Sequence, residues 1–416
     1  MKRFMIAVVF LMAGIVLFAC GKKSEEQQST KEPAVSPASK GTATGEAVQT
    51  EKPVLSDTEA FEQAEELVKG MTLEEKVGQL FLVSLSQLDN PREKRTSYYV
   101  TKKMQDKIAR YHLGGVILQN RNIRSQKQTQ ELVAGLRSAA SGGAIYVAVT
   151  EEGGGDNSVS AGCAALTAGG YMTPEEMGSD MSELQIREKG KTIGEELSSW
   201  GINLNLAPVA DVCGADNAIY RSRCLGDDAS DASDLLTALV EGMREGGLSV
   251  TLKYFPGYGN ITEDVNQKIV KDEISLMQMR NKNFVMYSAG IEAGADCVMV
   301  GNTHLSKITP EKRPAFMSEE VVTNLLREEL GFSGVVMTSP LNKPAVTNDY
   351  TSGFAVEEAL KAGCDLMVQP ADLDEAYHTV LSGVIEGKLD EKVINTAVRR
   401  ILQNKIQQGI LVLNNK

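Results

Sequence analysis

Histidine is nearly missing from this 416-residue chain, which has three, and basic side chains are outnumbered by acidic ones, 43 to 55. The formal charge is −12, and no long basic run occurs beyond the N-terminal segment. Nucleic acid is therefore a poor partner, because affinity for a polyphosphate rests on clustered Lys and Arg. An anionic surface polymer would be approached without electrostatic help. His112 and His378 fall in helical patterns and read as structural. His304, two residues past Asn302, is expected to pack in the core or at the surface, with rotation toward a strand-end site as the alternative. Six cysteines show no zinc-ligand spacing, so the sequence names no metal and no other cofactor. Aromatics make up 5% of the chain, and the single Trp, Trp200 in "LSSWGIN", reads as core. The apolar run from Met5 to Ala19 falls short of the roughly 20 residues a spanning helix needs.

That apolar run follows Lys2 and Arg3 and ends in "LFAC". Its flanks suit a secretory signal, and its end resembles a bacterial lipoprotein box. The resemblance implies a signal peptide over 1–19 and a lipidated Cys20 as the mature N-terminus, the alternative being an uncleaved anchor helix. Either way the remainder is expected outside the cytoplasm, held at the cell membrane through Cys20. Multiple acylation would hold it firmly, at roughly 0.8 kcal/mol per buried methylene. Residues 20–54 carry no aromatics and are rich in Ser, Thr, Lys, Glu and Pro. Such a stretch cannot bury enough apolar surface to offset its ordering entropy, and it reads as a flexible linker.

Residues 55–416 alternate short apolar runs with amphipathic stretches. The runs are 79–85, 114–119, 144–150, 203–212, 249–255, 297–304, 334–340 and 365–370. Gly201, Gly247 and Gly331 stand just before the following runs, where glycine closes a helix. Eight β-rich runs with helical connections predict an α/β domain, a (β/α)8 TIM-type barrel, with a doubly wound open sheet as the alternative. In such a barrel the chemistry sits in loops after the C-terminal ends of the strands. Cys297 and Cys364 lie in strand-like runs and read as core; Cys213 and Cys224 flank one loop, and whether they pair stays open.

In and around those loops stand "MTLEEKVGQLFLV", "GGVILQNRNIRS", "TEEGG", "GINLNLAPVADV", "KYFPGYGN", "GADCVMVG" and "LREELGFSGVVMTSPL", and near the C-terminus "AVRRILQNKIQQGIL". In this order the segments resemble glycoside hydrolase family 3, above all its single-barrel β-N-acetylhexosaminidases, over roughly 70 to 410. The resemblance implies cleavage of N-acetylglucosamine-containing glycans without a metal. It also implies an Asp nucleophile after the seventh strand, and here "VVMTSPL" puts Ser339 there, followed by Pro340. A hydroxyl needs an activating base to attack. The family's acid/base is a His held by an Asp; here Asp264 is retained, and Asn266, which cannot shuttle a proton near neutral pH, takes the His position. Tyr254 and Tyr258 replace two further His. Thr150, Gly155, Ser158 and Asn302 replace an Asp, two Arg and a His of the family pattern.

Arg223 and Lys253 match residues that hold the N-acetyl sugar, or else they pair with Glu152 or Asp211. Carboxylates expected near the mouth are Glu151, Glu152, Asp156, Asp211, Glu263 and Asp264. Glu152 and Asp211 read as loop supports, and Glu151 with Asp264 is a conceivable inverting pair. Tyr254 and Tyr258 stack on a sugar ring or fill the vacated space. The expectation is a barrel kept for its shape that binds a wall-derived, N-acetylglucosamine-containing sugar or a cell-envelope protein. The alternative is an active hydrolase with rewired residues.

Overall fold

The computed structural model describes residues 55–89, 97–154, 158–167, 170 and 172–413. The signal peptide, Cys20, the linker, Gly155 and Asp156 lie outside the described residues. Ten strands run in chain order: β1 Phe81–Ser84, β2 Gly115–Ile117, β3 Tyr146–Val149, β4 Leu204–Asn205, β5 Ser249–Phe255, β6 Lys271–Asp272, β7 Cys297–Val300, β8 His304–Leu305, β9 Val335–Thr338 and β10 Met367–Val368. Eight of them form one parallel sheet in the order β10-β1-β2-β3-β4-β5-β7-β9. A parallel bridge from Met337 to Leu366 joins its two ends, and the Thr338 N–H donates to the Leu366 carbonyl at 3.0 Å. The sheet thus closes into the expected (β/α)8 barrel.

The strands β1, β3, β7 and β9 are buried at every position. Apolar residues on both faces are what a strand needs when one face lines the barrel interior and the other meets helices. The helices bury one stripe each. Along Glu391–Gln407 this stripe is Ile394, Val398, Ile401 and Leu402, the spacing of one helical face. Helices Glu183–Ser199 and Ala229–Glu245 approach closely: a Cβ on Gly194 would lie 2.7 Å from the Gly246 Cα. Gly201, Gly247 and Gly331 adopt φ of 88°, 90° and 71°, the left-handed conformation that ends helices cheaply only in glycine.

Two predicted strands differ. The run 203–212 is a regular strand only at Leu204–Asn205 and meets β5 again through an isolated bridge from Val209 to Lys253; between the two, Pro208 has no N–H to donate. The run 297–304 ends at Val300, and His304–Leu305 pairs instead with Lys271–Asp272 in a separate two-stranded sheet. His304 is buried there, with Nε2 3.3 Å from the Thr309 carbonyl. His378 is exposed on its helix and Trp200 is buried. Among the described residues no helix is long and apolar enough to cross a membrane. Where β2 and β3 begin, the buried Lys405 ammonium donates to the carbonyls of Gly114 at 2.9 Å and Ala144 at 3.0 Å, and to Gln79 Oε1 at 2.8 Å.

Candidate functional site

At the C-terminal ends of the strands lies a cavity of about 470 Å³, within the range of small-molecule sites. Its floor is an ionic cluster. β5 delivers Lys253, 1% exposed, whose Nζ lies 2.5 Å from Glu152 Oε1 and also donates to the Leu206 carbonyl. The Arg223 guanidinium clasps the same carboxylate, Nε to Oε2 at 2.8 Å and Nη2 to Oε1 at 2.7 Å. Its Nη2 also donates to the Tyr254 hydroxyl at 3.0 Å. Burial alone would raise the Glu152 pKa; the Lys253 ammonium and Arg223 guanidinium hold it below the ordinary glutamate value. Glu152, rather than Asp211, is therefore the partner of both cations.

The turn after β5 is pinned from below. Asp211 accepts from the Tyr258 N–H, from the Gly259 N–H at 2.7 Å and from its neighbour Val212 N–H at 3.0 Å. Burial pushes its carboxyl up to about 6. A Cβ on Gly259 would lie 2.6 Å from that carboxylate, so the turn takes no larger residue there. A disulfide joins Cys213 to Cys224, settling the open pairing and bracketing the loop that presents Tyr220 and Arg223.

The two substituted tyrosines have different places. Tyr254 lines the cavity. Tyr258 lies behind it, stacked ring on ring at 4.8 Å, and is 3% exposed. Its hydroxyl accepts from the Asn302 N–H at 2.9 Å and has the Ser339 hydroxyl as a second polar neighbour. A Cβ on Gly301 would come within 2.6 Å of that hydroxyl, so glycine makes room for the ring. Ser339 is 1% exposed and donates to the Val300 carbonyl at 2.7 Å. Neither Tyr258 nor Ser339 lines the cavity; the Tyr254–Tyr258 stack occupies the region beside Ser339.

Asp264 and Asn266 also stay out of the cavity lining. Asp264 is exposed, and its Oδ1 accepts from the Asn266 N–H at 2.9 Å and from Nδ2 at 3.0 Å. Glu263 pairs with Lys268. Glu151 does not join Asp264 in an inverting pair. It is buried, and its two oxygens accept from the Gly153 N–H at 3.0 Å and the Ser160 N–H at 2.9 Å, so it braces its own loop. Thr150 and Ser158 do line the cavity. Among the described lining residues Glu152 is the only carboxylate. No group of three or more His, Cys, Asp or Glu side chains suited to a metal occurs among the described residues.

The polar lining residues that escaped the sequence reading include Arg121, Lys343 and Gln369. Arg121 sits just past β2, inside a segment already singled out, and Lys343 shortly past β9. The rule that strand-end loops build the site points to both. Gln369 follows β10 at φ 48°, a backbone state uncommon outside glycine, and nothing in the sequence signals that conformation.

Fold and site define a (β/α)8 barrel with a polar, ligand-sized cavity in the position where such barrels carry their function. The chain belongs to glycosyl hydrolase family 3: residues 72–404 match the glycosyl hydrolase family 3 N-terminal domain. A β-hexosaminidase of Stenotrophomonas maltophilia is 31% identical over 288 residues, covering 68% of this chain and 84% of the relative. A β-hexosaminidase of Xylella fastidiosa is 32% identical over 271 residues, 64% of this chain and 80% of the relative. Among solved structures, a family 3 β-N-acetylglucosaminidase from Paenibacillus superposes with a TM-score of 0.74 at 27% identity, covering 83% of this chain; the chain spans 64% of that protein's length. A β-N-acetylhexosaminidase from Beutenbergia cavernae gives 0.69 at 28% identity, covering 80% of this chain and 98% of that one.

Proposed function

We propose that this protein is a lipid-anchored barrel on the outer side of the cytoplasmic membrane that binds an N-acetylglucosamine-containing sugar of the cell wall without hydrolysing it. One observation carries the reading. The only carboxylate among the described lining residues, Glu152, is consumed by Arg223 and Lys253, while Ser339 is buried behind Tyr258. Retaining or inverting hydrolysis requires two carboxyl groups, or a carboxyl and an equivalent proton carrier, facing each other across the scissile bond. The described cavity supplies neither. Its size, its polar lining and the Tyr254 ring on its wall support a sugar as occupant. Because the cavity stays open above Lys253, Arg223 and Tyr254, a sugar is favoured over a cell-envelope protein.

The test uses p-nitrophenyl N-acetyl-β-glucosaminide for turnover and calorimetry with N-acetylglucosamine and wall fragments for binding. The expected result is binding without p-nitrophenol release, with the affinity lost in Arg223→Ala. Release that disappears in Asp264→Ala would instead establish a rewired hydrolase.

A further inference from the structure

We propose that Asp211 is a pH-sensitive positioning residue: as its carboxyl takes up a proton, its grip on the turn after β5 slackens, and the Tyr254–Tyr258 stack at the cavity wall loosens with it. The device lies behind the cavity and works with no ligand in it, so it goes beyond the sugar-binding reading.

Asp211 is buried and held by backbone N–H groups. Its Oδ2 accepts from the Tyr258 and Gly259 N–H groups of the turn, and its Oδ1 from the adjacent Val212 N–H. It forms no ion pair with a described residue. Lys282 is the cation whose charge bears on it, but that ammonium donates to Asn260 Oδ1 at 3.3 Å instead. Helix Asn283–Glu292 brings up two buried atoms that have no hydrogen-bond partner among the described residues, Asn283 Oδ1 and the Tyr287 hydroxyl. A Cβ on Gly257 would lie 2.2 Å from Asn283 Nδ2 and 2.9 Å from Asp211 Oδ2, so amide and carboxyl flank the same glycine. The Tyr287 phenol feels the Asp211 charge.

These neighbours give the protonated carboxyl a place. A proton from solvent, seated on Oδ1, forfeits only the Val212 bond. The Asn283 amide, by turning over, offers it an oxygen that gives up no partner in accepting it. What remains on Oδ2 is weaker, because an ionised acceptor holds an N–H roughly twice as strongly as a neutral one. The Tyr258 ring, carried by that turn, stacks on Tyr254, and the Tyr254 hydroxyl accepts from Arg223, so the change reaches the cavity wall.

Burial pushes the Asp211 carboxyl from the ordinary 3.8 up to about 6. Protonated Asp211 thus contributes stability that is present below 3.8 and lost as pH rises through about 6. Proton uptake therefore loosens the turn without unfolding the barrel. Burial also pushes the Tyr258 and Tyr287 phenols up, so neither competes for the proton in this range.

The experiment is hydrogen exchange read by mass spectrometry on the ligand-free full chain between about pH 5 and 8, with intrinsic exchange rates divided out. Protection of the Tyr258 and Gly259 amides should fall about tenfold from the top of this range to the bottom, with a midpoint near 6, while β1 stays unchanged. In Asp211→Asn protection should be low at every pH. In Lys282→Met, which removes the cation favouring the ionised form, the midpoint should move up. Should Asp211→Asn fail to fold, the unaltered protein and Lys282→Met decide. A flat profile in the unaltered protein, a profile that survives Asp211→Asn, or a midpoint indifferent to Lys282 overturns the proposal. None of these outcomes bears on whether the cavity takes a sugar.

Discussion

Ser339 shows how far one residue's surroundings, rather than its identity, decide what a site can do. Its hydroxyl sits 2.7 Å from the Val300 carbonyl, beside the Tyr258 phenol and sealed from solvent. Ser339→Asp would place a buried carboxylate against the Val300 carbonyl oxygen, with the Tyr258 hydroxyl beside it as a donor but no cation to pair with it. It is expected to lower stability by about 3 kcal/mol and to yield no glycosidase activity, as checked by urea denaturation and p-nitrophenol release. Glu152 is the converse case, a buried charge that the fold requires. Glu152→Gln leaves Lys253 and Arg223 facing each other uncompensated, at a cost of about 3 kcal/mol near neutral pH. Because the Glu152 pKa is lowered from the ordinary glutamate value of 4.5, its contribution is complete above that pH and is lost as pH falls through the folded-state value. The difference in unfolding free energy between the two proteins should therefore be constant from pH 5 to 7 and shrink below about 4.5. The identities at these positions were readable in the sequence. The burial of Ser339 was not, because it depends on the loop after β5 meeting the ends of β7 and β9.

At the scale of elements, the site is a set of braced loops. Asp211 fixes the turn after β5 through backbone donors, Glu151 fixes the loop after β3, and the Cys213–Cys224 disulfide fixes the loop that carries Arg223. Replacing both cysteines by serine should cost about 3 kcal/mol and weaken sugar binding through Arg223; parallel melting and calorimetry check the two effects. Strand periodicity made all eight barrel strands legible, and glycine marked the helix ends at Gly201, Gly247 and Gly331. The β6–β8 pair was not legible, since two residues per strand leave no periodic signal. Nor was the role of Glu151: a mouth carboxylate that braces a loop and one that faces a ligand look alike until the loop's backbone donors are placed.

At the scale of the whole molecule, the end of the barrel opposite the cavity contributes stability without touching the site. Lys405 satisfies three oxygen acceptors where β2 and β3 begin. Lys405→Met would leave them unpaired, and it is expected to lower stability by about 3 kcal/mol while leaving ligand affinity unchanged, as measured by denaturation and calorimetry. The barrel-forming segments retain the family's pattern, and 31% identity to a β-hexosaminidase extends over 288 residues. The departures that the resemblance implies fall after the strands' C-terminal ends, at Thr150, Tyr254, Tyr258, Asn266 and Ser339. Steady-state assay of the purified full chain with p-nitrophenyl N-acetyl-β-glucosaminide, with binding followed on the same sample, tests this account most directly. It predicts sugar binding with no release above buffer at any protein concentration; release proportional to protein and abolished by a single mouth substitution would contradict it.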